Sequence, residues 1–258
     1  NRRILRIKAF KVLYANILAG NSSLAQAETQ LDQSCEATRD LYLYMLSVVP
    51  ALTQIAKDRL EAAKTKLRPT EEDLNPNMKF ADNALAKLIA EDVDLNKLLA
   101  KKKFSWAQYD LILKKVMTSV ASKEYYQKYM DSETMSLAED CKLFTKIFEE
   151  EFVDLEELEM MLEEKSLYWN DDLAYSLTWC CKTLKSLAKG EGWSLIPLYQ
   201  SEMLKGSDVE SDKAFVRKLL QSFCAAAQLQ HDGIVAEGVD AGAFIGAVFR
   251  KDAGVVQG

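Results

Sequence analysis

Residues 1–18 read NRRILRIKAFKVLYANIL. Ile7, Phe10, Leu13, Tyr14 and Ile17 recur at intervals of three and four, so at about 100° per residue they share one face of an α-helix. Gly20-Asn21 then ends it. The same stretch carries Arg2, Arg3, Arg6, Lys8 and Lys11, and no Asp or Glu appears before Glu28. Five cations without an anion in eleven residues run against the chain's net charge of −6.

Helical spacing continues downstream. Ser23 with Gln26 predicts a capping-box start for a second helix reaching about Thr38. Leu41, Met45, Val48, Leu52 and Ile55 predict a long third helix, interrupted by Pro50 and stopped at Arg68-Pro69. RPTEEDLNPN (68–77) reads as a polar connection and a boundary. Further helices are expected near 79–91, 106–130, 136–150, 154–164 and 170–189, with Ser136 and Glu139 as another capping box. The segment GEGWSLIP is looser, and a last helix is expected over about 207–229. No run of alternating β-branched residues competes, so the predicted fold is all-α. Three regions follow: 1–69, 70–205 and 206–258. Six of the ten glycines fall in 233–258, which predicts a poorly ordered tail.

A chain of 258 residues with 48% apolar and 28% charged residues is long enough for a sizeable core and is not a disordered type. Residues 131–164 hold thirteen acids and two lysines, a local charge of −11, which leaves +5 for the remainder. Charge acts over roughly 10 Å at about 0.1 M salt, so this distribution matters more than the sum. The five cysteines, at 35, 141, 180, 181 and 224, form no CxxC pair and read as thiols used as small apolar residues in a reducing compartment. No stretch approaches the roughly 18 apolar residues of a membrane span. The expected location is the cytoplasm, with no membrane partner.

Catalytic and cofactor signals are weak. His231 is the single histidine, which argues against Ser-His-Asp, Cys-His and histidine-rich metal sites. No Gly-rich loop follows a strand, so no phosphate cradle or dinucleotide fingerprint is expected, and the chain reads as a non-enzyme without cofactor or metal. EEEFVDLEELEMMLEEK (149–165) is rich in carboxylates, but Phe152, Leu155, Leu158, Met161 and Leu162 run through it at helical spacing, the mark of an amphipathic helix with a solvated acidic face. Trp106, Tyr109, Tyr125, Tyr126, Tyr129, Tyr168 and Trp169 lack interleaved arginines and read as packing residues rather than base-stacking ones.

The opening helix is the exception. Arg2, Arg3 and Arg6 project over the N-terminal end of its apolar face, flanked by Lys8 and Lys11. Cations there oppose the helix dipole by a few tenths of a kcal/mol each. Guanidinium forks beside free backbone N–H groups suit a phosphate backbone. A solvated charged end is the alternative.

The pattern RR-x-x-R-x-x-A-x-x-x-LY, carried by Arg2, Arg3, Arg6, Ala9 and Leu13-Tyr14, resembles the opening of the NusB family of bacterial antitermination factors. KLRPTEEDLNPNMKF (66–80) and SLYWNDD (166–172) resemble a long form of that family with inserted helices, and SDKAFVRKLLQ (211–221) resembles the segment where the shared core resumes. The resemblance covers about residues 1–229. It implies a NusB-like helical bundle that recognises boxA-type single-stranded RNA together with ribosomal protein NusE and joins an RNA polymerase antitermination complex. Arg2, Arg3, Arg6 and Tyr14 match the family's RNA-side positions, although the wheel position of Tyr14 equally suits the core. Lys8 and Lys11 are additions made on charge alone. The family's INE-like and KFVNG-like stretches are absent after Leu229, so an incomplete, aggregation-prone C-terminal lobe is expected. Two alternatives stay open: a helical protein-binding scaffold that uses the acidic face, and a NusB-like domain of an RNA methyltransferase.

Overall fold

The computed structural model describes residues 2–18, 24–169 and 171–197, together with Lys218 and Gln221. Among the described residues there are eleven α-helices and no strand. The all-α expectation is met. The last predicted helix (apart from Lys218 and Gln221, which are helical), the Gly-rich tail, His231 and the Ser23 cap lie outside the described residues.

The chain divides into two compact units, with a boundary at Cys35/Glu36 and a second at Ser201/Glu202. The connection at 68–77 falls inside the second unit, so residues 36–69 belong with the region that follows them.

In the first unit, α1 (Arg2–Leu18) buries Ala9, Val12 and Leu13, and the N-terminal half of α2 (Leu24–Leu46) buries Ala27 and Leu31. Lys8 Nζ donates to Ser34 Oγ at 3.0 Å, and Asn16 Nδ2 donates to Gln30 Oε1 at 2.9 Å. As the residue number rises along α1 its partner's number falls, so the two helices run antiparallel.

The second unit starts with the C-terminal half of α2 and α3 (Val48–Lys64). Leu41, Met45, Val48, Leu52 and Ile55 are all buried, as their spacing requires. The break between the helices is at Ser47, not near Thr38 and not at Pro50. Pro50 is the third residue of α3, where a backbone N–H has no intrahelical partner in any case, so proline is tolerated there. It cannot donate back to the preceding turn, and the chain resets just upstream. Ser47 secures that reset: its Oγ donates to the Tyr44 carbonyl at 2.6 Å and accepts from Trp106 Nε1 at 3.0 Å.

The polar connection contains a one-turn helix, α4 (Glu71–Leu74), with a reciprocal capping box between Thr70 and Asp73. α5 (Ala84–Glu91) and α6 (Val93–Lys102) follow. Asn83 caps the first through Ala86 N–H, and Asp92 caps the second through Leu95 N–H at 2.8 Å. Helix α6 ends at Lys103 in the left-handed conformation, with Phe104 N–H returning to the Leu99 carbonyl. Neither the capping box nor α6 was expected from the sequence.

The expected helix over 106–130 is two helices, α7 (Asp110–Ser122) and α8 (Glu124–Asp131). α9 (Leu137–Glu151), α10 (Glu156–Lys165) and α11 (Leu173–Ala188) complete the unit. Ser136 caps α9 through Glu139 N–H, but the Glu139 side chain turns to Lys79 instead of closing the box. The core is built on α9, whose Phe144, Ile147 and Phe148 are wholly buried, packed along α11 through Leu177, Cys180 and Leu184. Cys141, Cys180 and Cys181 are buried free thiols. Burial pushes Cys141 up to about 12 and Cys181 to about 11, which keeps both protonated at neutral pH.

Candidate functional site

Helix α1 has no acidic residue in its first turn or elsewhere, and Arg2, Arg3 and Arg6 lie in its first two turns. Its buried line is Lys8, Ala9, Val12, Leu13 and Asn16. That line is rotated away from the one the apolar spacing indicated. Ile7 is 44% exposed and Tyr14 is 55% exposed, whereas the sequence allowed both to be core. The cause is on the partner helix: Ser34 and Gln30 offer acceptors that draw Lys8 and Asn16 inward, and small Ala9 permits close approach. Phe10 is half-buried, and its ring stacks on that of Tyr14 with centroids 6.2 Å apart and planes 19° from parallel.

The six candidate residues therefore separate. Lys8, expected on the charged surface, is 4% exposed and held by Ser34, a correction to the sequence reading. A cation so placed is a packing and hydrogen-bonding element. Lys11 and Tyr14 are exposed. By number, positions 3, 7, 10 and 14 follow the helical period, which puts Arg3 in register with Ile7, Phe10 and Tyr14.

Two interior stretches, 75–80 and 166–172, have a different role. In NPNMKF (75–80), Asn77 Nδ2 donates to the Met130 carbonyl at 3.0 Å. Lys79 Nζ donates to the carbonyls of Tyr129 and Ser132 at 2.5 and 2.8 Å and lies 4.3 Å over the Tyr129 ring. This is a cation at the C-terminal end of α8, where the helix dipole favours it. Tyr129 Oη donates to Asp140 Oδ1 at 2.6 Å, and Asp140 Oδ2 accepts from Ala84 N–H at 2.8 Å. Burial, reinforced by the Asp140 carboxylate, pushes the Tyr129 hydroxyl well above its usual range, so it stays a donor. In SLYWNDD (166–172), Trp169 Nε1 donates to the Ala37 carbonyl at 2.8 Å, and Asp172 accepts from Thr38 Oγ1 at 2.7 Å. The Trp169 ring packs on Tyr44 and Phe104, with Trp106 stacked on the other side of the cluster at 4.3 Å from Tyr44. These residues fix helices together.

Most of the aromatics read as packing residues do pack: Trp106, Tyr129 and Trp169 are buried and Tyr109, Tyr125 and Tyr126 are partly so, while Tyr168 is exposed. The apolar residues of the acidic stretch are also inside, with Phe152, Leu158, Met161 and Leu162 buried. Among the described residues, no group of three or more His, Cys, Asp or Glu could hold a metal ion. No helix of the described residues is long and apolar enough to cross a membrane.

Comparison of the chain with protein-family models, with curated proteins and with solved structures gave no match.

Proposed function

We propose that this chain is a non-enzymatic, NusB-type antitermination factor of the cytoplasm that binds boxA-type single-stranded RNA through α1, in company with ribosomal protein NusE and an RNA polymerase antitermination complex. The reading rests on the resemblance of the opening motif and of the three later stretches, which occur in order along the chain. The observation that carries it is the exposed side of α1: Tyr14 stacked on Phe10, with Lys11 nearby, on a helix without a single carboxylate.

The chemistry suits an unpaired strand. An exposed aromatic face gives a base somewhere to stack, worth about 1–3 kcal/mol per base. Cations of the same helix neutralise phosphates, and free N–H groups at a helix N-terminus add donors. The absence of acids removes repulsion along the whole seventeen-residue helix. Arg2, Arg3, Arg6, Lys11 and Tyr14 are the residues assigned to the RNA; Lys8 is assigned to the contact between α1 and α2.

Fluorescence anisotropy with a labelled boxA-type RNA, over a salt series and with or without NusE, tests the proposal. The parent should bind, and the Arg2, Arg3, Arg6 triple alanine variant should lose about two units of log-log salt slope, at roughly 0.7 per contact on a single strand. A parent that fails to bind in the presence of NusE would refute the reading.

A further inference from the structure

Along one edge of the second unit, exposed apolar side chains lie beside a run of carboxylates on α10, while the lysines of α7 nearest to them, Lys114 and Lys115, are already paired with Asp110 and Glu157. Leu111 of α7 is 76% exposed and Met160 of α10 is 62% exposed. Two ties relate these helices: an ion pair between Lys115 and Glu157, and Lys165 Nζ lying 5.2 Å over the ring of Tyr109, just before α7. The middle of α7 thus meets the start of α10, and the start of α7 meets its end, so the helices run antiparallel. Leu111 lies one turn from Lys115 and Met160 about one turn from Glu157, both towards the Tyr109–Lys165 tie.

Met160 is framed on its own helix by Glu156 and Glu164, four residues away on either side, and by Glu159 and Glu163. All four glutamates are exposed, and none is in an ion pair among the described residues. Glu159 and Glu163 are four apart, a like-charge spacing that weakens a helix. A local rule broken without an internal partner points to an external one. The surrounding sequence gives no relief, since residues 131–164 carry −11.

We infer that the α7–α10 edge docks a lysine- or arginine-rich amphipathic segment of a partner protein, whose apolar side chains cover Leu111 and Met160 while its cations pair with Glu156, Glu159, Glu163 and Glu164. Charge complementarity selects this occupant. Nucleic acid and anionic lipid are repelled by the same carboxylates, and a purely apolar partner would leave four charges unmatched beside it. The edge contains none of the residues assigned to RNA and does not depend on that assignment.

The test uses the full chain and two synthetic peptides of equal charge and spacing, one of leucine and lysine and one of serine and lysine. The leucine–lysine peptide should bind more tightly than the serine–lysine one, move the methyl NMR signals of Met160 and Leu111, and weaken as salt rises. Replacing the four glutamates by glutamine, which relieves repulsion within α10 and preserves its circular dichroism, should weaken binding by about tenfold. A Leu111→Ser, Met160→Ser variant should weaken the leucine–lysine peptide and leave the serine–lysine one unchanged. The inference is overturned if the parent does not bind, if both peptides bind equally, or if the glutamine variant binds as the parent does. It is overturned equally if the Met160 signal moves with protein concentration alone, which would assign the edge to a second copy of the chain.

Discussion

Tyr14 and Trp169 are both aromatic residues, and they do opposite things. Trp169 is buried, donates to a backbone carbonyl of α2 and is stacked among Tyr44 and Phe104. Tyr14 is more than half exposed and touches Phe10 on a helix crowded with cations. Aromatic residues thus divide between those that hold the fold and those available for contact. The surroundings of each side chain decide which is which.

That contrast can be tested by substitution. Trp169→Ala should have the largest effect, destabilising the second unit by about 3–5 kcal/mol in a urea titration, because it empties a large packed site and removes the indole donor that ties it to the Ala37 carbonyl. An effect below about 1 kcal/mol would remove Trp169 from the residues that hold the fold. Lys79→Met should follow at about 2–3 kcal/mol by the same titration, since it leaves the carbonyls of Tyr129 and Ser132 without their shared donor. Tyr14→Ala should change stability by no more than about 0.5 kcal/mol while weakening boxA-type RNA binding by about 1–3 kcal/mol in anisotropy. A Tyr14 variant that melted early but bound RNA normally would reverse the comparison.

The smallest expected effect is an acid-dependent one. Burial tends to raise the Asp92 carboxyl, but donors from Leu95 N–H and from Trp193 Nε1, at 2.7 Å, hold it below its ordinary value of 3.8. A carboxyl lowered by folding contributes stability that is fully present above its unfolded value and is lost as pH falls through its folded one. The indole N–H signal of Trp193 should therefore be constant above pH 3.8 and shift below it. Asp92→Asn should flatten that response while leaving the α6 cap in place, because asparagine caps a helix about as well as aspartate. An unchanged titration in the variant would show that another group governs the segment.

Long, strongly periodic helices were legible before the structure. The line from Leu41 to Ile55 is buried throughout, and Phe152, Leu158, Met161 and Leu162 of the acidic stretch are buried too, because the 3.6-residue period alone determines which positions can share a face. Boundaries were less legible. Pro50 signalled a break, but the position of that break depends on where α3 starts, and Ser47 holds it through Trp106, far away in sequence. The second capping box forms only its Ser136 half, because the Glu139 side chain lies beside Lys79 at 3.7 Å, a neighbour that spacing within one helix could not reveal. On α1, the amphipathic pattern placed Tyr14 among the packing residues and Lys8 on the charged flank. Acceptors on α2 reversed both.

The sequence by itself determined the helical class, the apolar use of Cys141, Cys180 and Cys181, and the concentration of positive charge at one end and negative charge near the middle. Composition and period act locally, and no distant partner is needed to set them. Only tertiary structure decided which charges are available. It buried Lys8 and Lys79 against oxygen acceptors from other helices, and paired Glu157 with Lys115. It left Glu156, Glu159, Glu163 and Glu164 around an exposed methionine. A side chain's charge is written in the sequence, but its exposure and its partners depend on what the folded chain brings beside it.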